Sequence, residues 1–232
     1  METNHLDCIV SLTSWKGRIN SDIVPFNIFL LLHQKTEYRY KVVLVLAEEE
    51  FPNKWAELPT ALLVIARACP DFDIVWCKKN TKALKKLTGS QALYPDLPII
   101  TTDDDIAVKD NFVQTFMDAH REHPDDIISP TVMKYQLDFD ITGMGRLYPP
   151  NSLADLPDDL FMKYFQGLED DVWNGLRASM KGTRHWKLGE WPFYKEVRIG
   201  NTALSNTYRH TNVRMMVRTF REEHFGSPVG IS

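Results

Sequence analysis

The chain has little of what marks several protein classes. Three of its 232 residues are cysteine, Cys8, Cys69 and Cys77, with no C-x-x-C pair, so neither a disulfide framework nor a zinc site is indicated and a reducing, cytosolic compartment is expected. Glycine (11) and proline (13) are too few for a collagen-like or low-complexity chain. No apolar run nears the roughly 18 residues of a membrane span. The longest, residues 26–32, is broken by Asn27 and ends at His33 and Gln34, so no integral membrane segment is expected. Residues 1–7 lack the basic start and apolar core of a secretory signal, and secretion is not expected. A net charge of −4 argues against a phosphate-backbone binder driven by bulk charge, leaving only a local basic groove, and no nucleic-acid partner is expected.

What is present suffices for one buried core: 44% hydrophobic and 25% charged residues in this length fit one α/β domain. The first half alternates strand and helix patterns. Residues 8–12 form a short apolar run, and Ser21, Asp22 and Pro25 open a helix to about Gln34. Residues 41–47 are apolar on both faces and β-branched, as a central parallel strand is. Helical spacing over 58–68, a strand at 72–77, a helix at 82–93, a strand at 97–102 and a helix at 111–120 complete the alternation. This order predicts a doubly wound, mostly parallel Rossmann-like sheet flanked by helices.

After Ile127 the rhythm weakens. Residues 127–140 have room for one or two strands, and 141–157, rich in Gly, Pro and Asn, read as loop. Val172, Leu176 and Met180 share a helical face, with Gly182 placed to end that helix. Beyond Trp186 no period is evident. With neither repeat nor linker, residues 1–232 read as a single domain with an irregular C-terminal part, a nucleotide-binding portion over about 7–125 and an acceptor portion over about 126–232.

Chemistry concentrates in two acidic clusters. Asp103-Asp104-Asp105 follows the 97–102 strand; in an extended segment Asp103 and Asp105 share a side while Asp104 points away. Ligands of open α/β sheets bind beyond the carboxyl ends of strands, and paired hard oxygens there suit Mg²⁺ or Mn²⁺ carried with a diphosphate. The alternative is that these aspartates cap a turn. Glu169, Asp170 and Asp171 precede Val172 at a helix start, where one carboxylate is explained by the helix dipole and the surplus suits a general base acting on a hydroxyl. Between the clusters, Gly143-Met144-Gly145-Arg146 lacks the strand-to-helix context and third glycine of a dinucleotide fingerprint, leaving a close backbone approach to a ligand or a simple turn. Trp173, Trp186, Trp191, Phe193 and Tyr194 are placed either against sugar faces or, as large rings more often are, in the core.

These residues carry a resemblance. Ile9-Val10-Ser11-Leu12-Thr13-Ser14-Trp15 with Arg18-Ile19, Leu46 through Pro52, Lys85-Lys86-Leu87, Tyr94-Pro95-Asp96, Ile100 through Ile106, Gly143 through Pro150 and Asp170-Asp171-Val172-Trp173 together resemble the bacterial nucleotide-sugar glycosyltransferases of the GT-A fold, in particular the capsular and surface-polysaccharide type related to family 2. The resemblance covers roughly residues 7–182. It implies that Asp103 and Asp105 form the DxD motif holding Mn²⁺ or Mg²⁺ against the donor diphosphate, with the donor most often a UDP-sugar. The acidic-Asp-Val segment looks like that of fringe-like and β-1,3-galactosyltransferase-like enzymes, which makes Asp171 the base, with Asp170 the alternative. Thr13, Ser14, Arg18, Lys86, Asp103 and Asp104 are then expected to line the donor. His210, or else His185, is the candidate for a third metal ligand.

The implied reaction is an inverting transfer from a nucleotide-sugar to a glycan or lipid-linked acceptor, with at most peripheral contact at the inner membrane. Two other classes compete with it. A metal-dependent nucleotidyltransferase or nucleotide-sugar hydrolase also uses aspartates at strand ends, although residues 11–18 contain a single glycine where the former has a Gly-rich loop. A non-catalytic nucleotide-sugar-binding module is the third.

Overall fold

Residues 42–46 are all apolar because both faces of that strand are covered. The computed structural model describes residues 5–134, 137–196 and 212–226. Its first half is built from β1 (Cys8–Thr13), α1 (Ile23–Leu32), β2 (Tyr40–Ala47), α2 (Thr60–Ala68), β3 (Phe72–Cys77), α3 (Lys85–Leu93), β4 (Ile99–Thr101), β5 (Ile106–Val108) and α4 (Phe112–Glu122). Strands β1, β2, β3 and β4 are mutually parallel, and alternate β1 residues point to opposite sides. Cys8, Val10 and Leu12 pack with Val24 and Ile28 of α1, Leu62 of α2 and Phe112 and Phe116 of α4. Ile9, Val43 and Val45 pack with Leu87 of α3 on the other face.

The second half contains β6 (Ile127–Ser129), β7 (Val132–Met133), β8 (Ile141–Thr142), β9 (Arg146–Tyr148), α5 (Asp158–Phe165), α6 (Asp170–Lys181), β10 (His185–Lys187), β11 (Phe193–Glu196) and α7 (Val213–Phe225). The main sheet runs β10-β6-β9-β4-β1-β2-β3, with β9 antiparallel to both β4 and β6. The α/β, mostly parallel sheet flanked by helices is as expected. The switch point lies between β1 and β4, where the chain, having stepped outward through β2 and β3, returns to the other side of β1.

The region 141–157, expected as loop, needs correcting. It holds β8 and β9, and β9 is an interior strand with Arg146, Leu147 and Tyr148 all buried. Runs of two and three residues are too short to show a period, and β9 exists because β4 and β6 supply its hydrogen-bond partners. Helix α5, strands β10 and β11 and helix α7 likewise lie where no period was read. Helices α5, α6 and α7 enclose a further core in which Phe161 and Phe165 of α5, Val172, Trp173 and Leu176 of α6 and Val213, Val217 and Phe220 of α7 meet. Gly182 ends α6 as expected, at φ +80° with its N–H on Ser179 O and the Thr183 N–H on Ala178 O. Among the described residues no helix is long and apolar enough to cross a membrane.

Candidate active site

The carboxyl ends of β1 and β4 open onto a cavity of about 320 Å³. Its walls include Thr13, Ser14, Arg18, Lys86, Asp103, Asp104, Asp105, Asp170 and Asp171, so the structure brings together nine residues singled out in sequence. His210 lies outside the described residues, and His185, half-buried on β10, does not line the cavity. Trp15, Glu50, Asn80, Lys85 and Arg146 line it as well. The first of these follows directly from its place beside Ser14, whereas Arg146 had no signal beyond its following two glycines.

Each wall residue is fixed by its element. Thr13 ends β1 and donates from Oγ1 to Val45 O at 2.7 Å. Helix α3 is pinned to β1 by Ser11, whose hydroxyl donates to Lys86 O and accepts from Ser90 at 2.8 Å. Gly89 lets the same helix lie close on β2 and β3, because a Cβ there would lie 2.7 Å from Val45 Cγ1 and 2.8 Å from Cys77 Sγ. Lys86 is thereby held inside the cavity wall, 4% exposed, with Nζ 2.6 Å from Asp103 Oδ1 and 3.6 Å from Asp170 Oδ2. Burial works against its charge, but the two carboxylates hold the ammonium above the ordinary lysine value.

The acidic triplet departs from the expected alternation. Extended structure stops at Thr101, and Asp104 and Asp105 sit in a turn fixed by the Asn27 side chain, which donates to Asp104 O at 2.6 Å. Asp104 therefore does not point away from Asp105. Both are paired with the buried Arg18, Asp105 at 3.2 Å, while Asp103 turns to Lys86. Burial raises the carboxyls of Asp104 and Asp105, Arg18 opposing it, and Asp105 is pushed up to about 6. Burial also weighs on Asp103, but Lys86 brings its carboxyl below the ordinary value.

Among the described residues, no three His, Cys, Asp or Glu side chains converge as a metal cage. Asp103, held by Lys86, and Asp105, held by Arg18, each bring a hard-oxygen carboxylate to the cavity lining. That donor set suits a divalent ion that takes one or two carboxylates from the protein and the rest of its shell from phosphate and water.

The second cluster lines the same cavity and meets the first through Lys86. Asp170 and Asp171 are the first two residues of α6, and Glu169 before them is in the left-handed region at φ +57°. Arg146 pairs with both, at 3.3 Å to Asp170 and closely to Asp171. Asp170 is further engaged by Lys86 and its side chain is 14% exposed, whereas that of Asp171 is 35% exposed. A chain of alternating charge, Asp103, Lys86, Asp170, Arg146, Asp171, thus crosses the cavity floor from β4 to α6.

Of the five aromatics, Trp173 and Phe193 are fully buried and cannot meet a sugar face. Trp186, stacked on His123, and Trp191 and Tyr194 are exposed but lie away from the cavity wall.

No protein-family model and no curated protein matches the sequence. Solved structures do match. A 4-diphosphocytidyl-2C-methyl-D-erythritol synthase is 10% identical over 91% of this chain and 99% of its own, with a TM-score of 0.51. TarS residues 1–349 of S. aureus, in complex with UDP-GlcNAc, is 9% identical over 97% of this chain and 68% of its own, with a TM-score of 0.59. The mannosyltransferase PcManGT of Pyrobaculum calidifontis, in complex with GDP-Man and Mn²⁺, is 12% identical over 94% of this chain and 61% of its own, with a TM-score of 0.55. The fold is GT-A-like. This chain shares it with nucleotide-sugar glycosyltransferases and with a nucleotidyltransferase.

Proposed function

We propose that this chain is an inverting glycosyltransferase that moves a hexose from a nucleotide-diphosphate donor, a UDP-sugar in the first instance, to a hydroxyl of a glycan or lipid-linked acceptor in surface-polysaccharide assembly. The observation that carries this reading is a cavity at the switch point lined both by carboxylates from the end of β4 and by carboxylates from the start of α6. A transferase needs two such sets: one acidic group handles the donor diphosphate, and another accepts the acceptor's proton. The TarS complex with UDP-GlcNAc and the PcManGT complex with GDP-Man and Mn²⁺ add fold-level support.

The donor lies along residues 7–125, with Thr13, Ser14 and Arg18 beside the nucleotide and Lys86 toward its phosphates. Asp103 and Asp105 would hold Mn²⁺ or Mg²⁺, with Arg18 bracing both Asp104 and Asp105. The ion, when bound, offsets negative charge building on the leaving diphosphate. Asp171 is the base. It is the more open of the α6 carboxylates, whereas Asp170 is tied between two cations. No covalent nucleophile is required. The acceptor hydroxyl attacks the anomeric carbon as its proton passes to Asp171, and the nucleoside diphosphate leaves.

The second reading is a nucleotidyltransferase, favoured by the match along 99% of the 4-diphosphocytidyl-2C-methyl-D-erythritol synthase chain. Product analysis separates the two. With Mn²⁺ and an octyl-glycoside acceptor panel, release of a nucleoside diphosphate from UDP- or GDP-sugars is expected. Release of pyrophosphate from CTP or UTP with a sugar phosphate, and no nucleoside diphosphate from any sugar donor, overturns the glycosyltransferase reading. Nucleoside diphosphate appearing at the same rate without any acceptor identifies a hydrolase.

A further inference from the structure

The Gly143-Met144-Gly145-Arg146 stretch is a sequence feature that the proposed reaction leaves unused, and the fold goes to some length to build it. Gly145 holds φ +67°, and a Cβ there would stand 2.5 Å from the Phe193 ring. A Cβ on Gly143 would stand 2.4 Å from Thr131 Oγ1. What this tight turn delivers is the next residue. Arg146 pairs in register with Thr101, the last residue of β4, so the strand ladder sets it beside the backbone that leads into the acidic triplet. Its side chain then reaches across to the first turn of α6.

A guanidinium buried to 4% exposure is costly unless its donors are met, and here they are met in a directed way. Nε donates to Gly143 O at 3.0 Å, Nη1 to Asp170 Oδ2 at 3.3 Å, and Nη2 to Asp171 Oδ1. A planar fork that holds two adjacent carboxylates fixes the orientation of both, as a lysine's single ammonium cannot. Two neighbouring acids at a helix start otherwise repel. The other charged groups at this point are Lys86 on α3, which reaches Asp170, and Asp103 beyond it.

We propose that Arg146 is a positioning residue for Asp171: it holds Oδ1 of that carboxylate and leaves Oδ2 for the acceptor's hydroxyl. This rests on the glycosyltransferase reading above. An ion pair that merely fastens α6 to the sheet has a different signature. In that case loss of Arg146 lowers stability and activity whether or not Asp171 is ionisable.

The test is a double-mutant cycle on the full chain, with Mn²⁺ and whichever of UDP-GlcNAc, UDP-glucose, UDP-galactose or GDP-mannose stabilises the wild type, scoring nucleoside diphosphate release with octyl glycosides as acceptors. Arg146→Met is expected to lower kcat by about 100-fold with donor KM within about threefold, the size of a misplaced general base. Arg146→Lys, which keeps the charge without the fork, is expected to regain about tenfold. In an Asp171→Asn background, Arg146→Met is expected to cost less than about threefold, because the two act as one unit. Arg184→Met, which removes an ion pair to Asp126 outside the cavity lining, serves as the control and is expected to leave kcat unchanged.

Equal cost of Arg146→Met in both backgrounds overturns the proposal, as does a rise in donor KM at unchanged kcat. Where Arg146→Met does not fold, the same cycle with Arg146→Lys decides the matter. A wild type that neither binds nor cleaves any of the four donors refutes the underlying reading, and the proposal with it; an active wild type with additive variants refutes the proposal alone.

Discussion

The two walls of the cavity are built by different means. The donor wall rests on β1 and β4, long-range parallel neighbours in a sheet covered on both faces, and its carboxylates emerge where a buried strand stops. The acceptor wall rests on α6, which is packed on an aromatic cluster of Phe161, Phe165, Trp173 and Phe220 and tied to the sheet through Arg146. Ion pairs hold the carboxylates of both, but the scaffold beneath one is set by backbone pairing and beneath the other by side-chain packing. Damage to the two should therefore look different, and each variant below is chosen to expose or collapse that contrast.

The largest effect is expected from Asp171→Asn, which should lower transfer by about 10²–10⁴ while the donor still binds, as steady-state kinetics beside a donor titration would show. If donor binding falls with it, the walls are not separate. Next comes Trp173→Ala, which removes a fully buried ring from the second core and should cost about 3–5 kcal/mol in chemical denaturation. Hydrogen exchange should show α5, α6 and α7 opening below the global transition while β1 and β2 stay protected. Uniform loss of protection would mean that the two cores form one cooperative unit.

A smaller effect probes the donor wall. Burial brings the Lys85 ammonium down from 10.5 to about 8, with Glu50 and Cys77 opposing that fall. Between those values the folded chain binds less proton than the unfolded one, so stability rises with pH across that window. Below it the buried charge is a standing cost, on the order of 3 kcal/mol, that Lys85→Met should recover together with loss of the pH slope. A donor diphosphate favours the charged lysine, so wild-type donor affinity should weaken as pH climbs past about 8. A thermal-melt series from pH 7 to 10.5 checks the slope, and a variant that keeps it would assign the titration elsewhere. The smallest change expected is in Gly145→Ala, at about 1–3 kcal/mol from the positive φ and the Phe193 clash, seen as a lowered denaturation midpoint.

The same contrast explains what was legible beforehand. Strand β2 announces itself because both of its faces are buried, so each residue from Val42 to Leu46 is apolar. The acidic triplet was visible as three carboxylates behind such a strand, and its place at the switch point follows from topology rules. Strands β8 and β9 were not visible, because two or three residues carry no period and their existence depends on β7, β4 and β6 as partners. The alternation assigned to Asp103 and Asp105 failed for a related reason: it assumed that the strand continued, whereas Asn27 and Arg18 draw the chain into a turn. Arg146 was written in plain sight after two glycines, but a residue whose partners lie 24 and 25 positions away gives no local sign of them. In α7, Val213, Val217 and Phe220 do share a helical face, a period that was present and not taken up.

The central claim is that one cavity joins a donor wall and a base wall with separable roles. Its most direct test is a thermal-shift series of UDP-, GDP- and CMP-sugars, with and without Mn²⁺, on the wild type, Asp105→Ala and Asp171→Asn. At a hundredfold excess over Kd a bound donor stabilises by about 2.7 kcal/mol, a shift of roughly 5–10 °C for a chain of this size. The account predicts metal-dependent stabilisation by one nucleotide class, lost in Asp105→Ala and kept in Asp171→Asn. No shift with any donor, or equal loss in both variants, would contradict it.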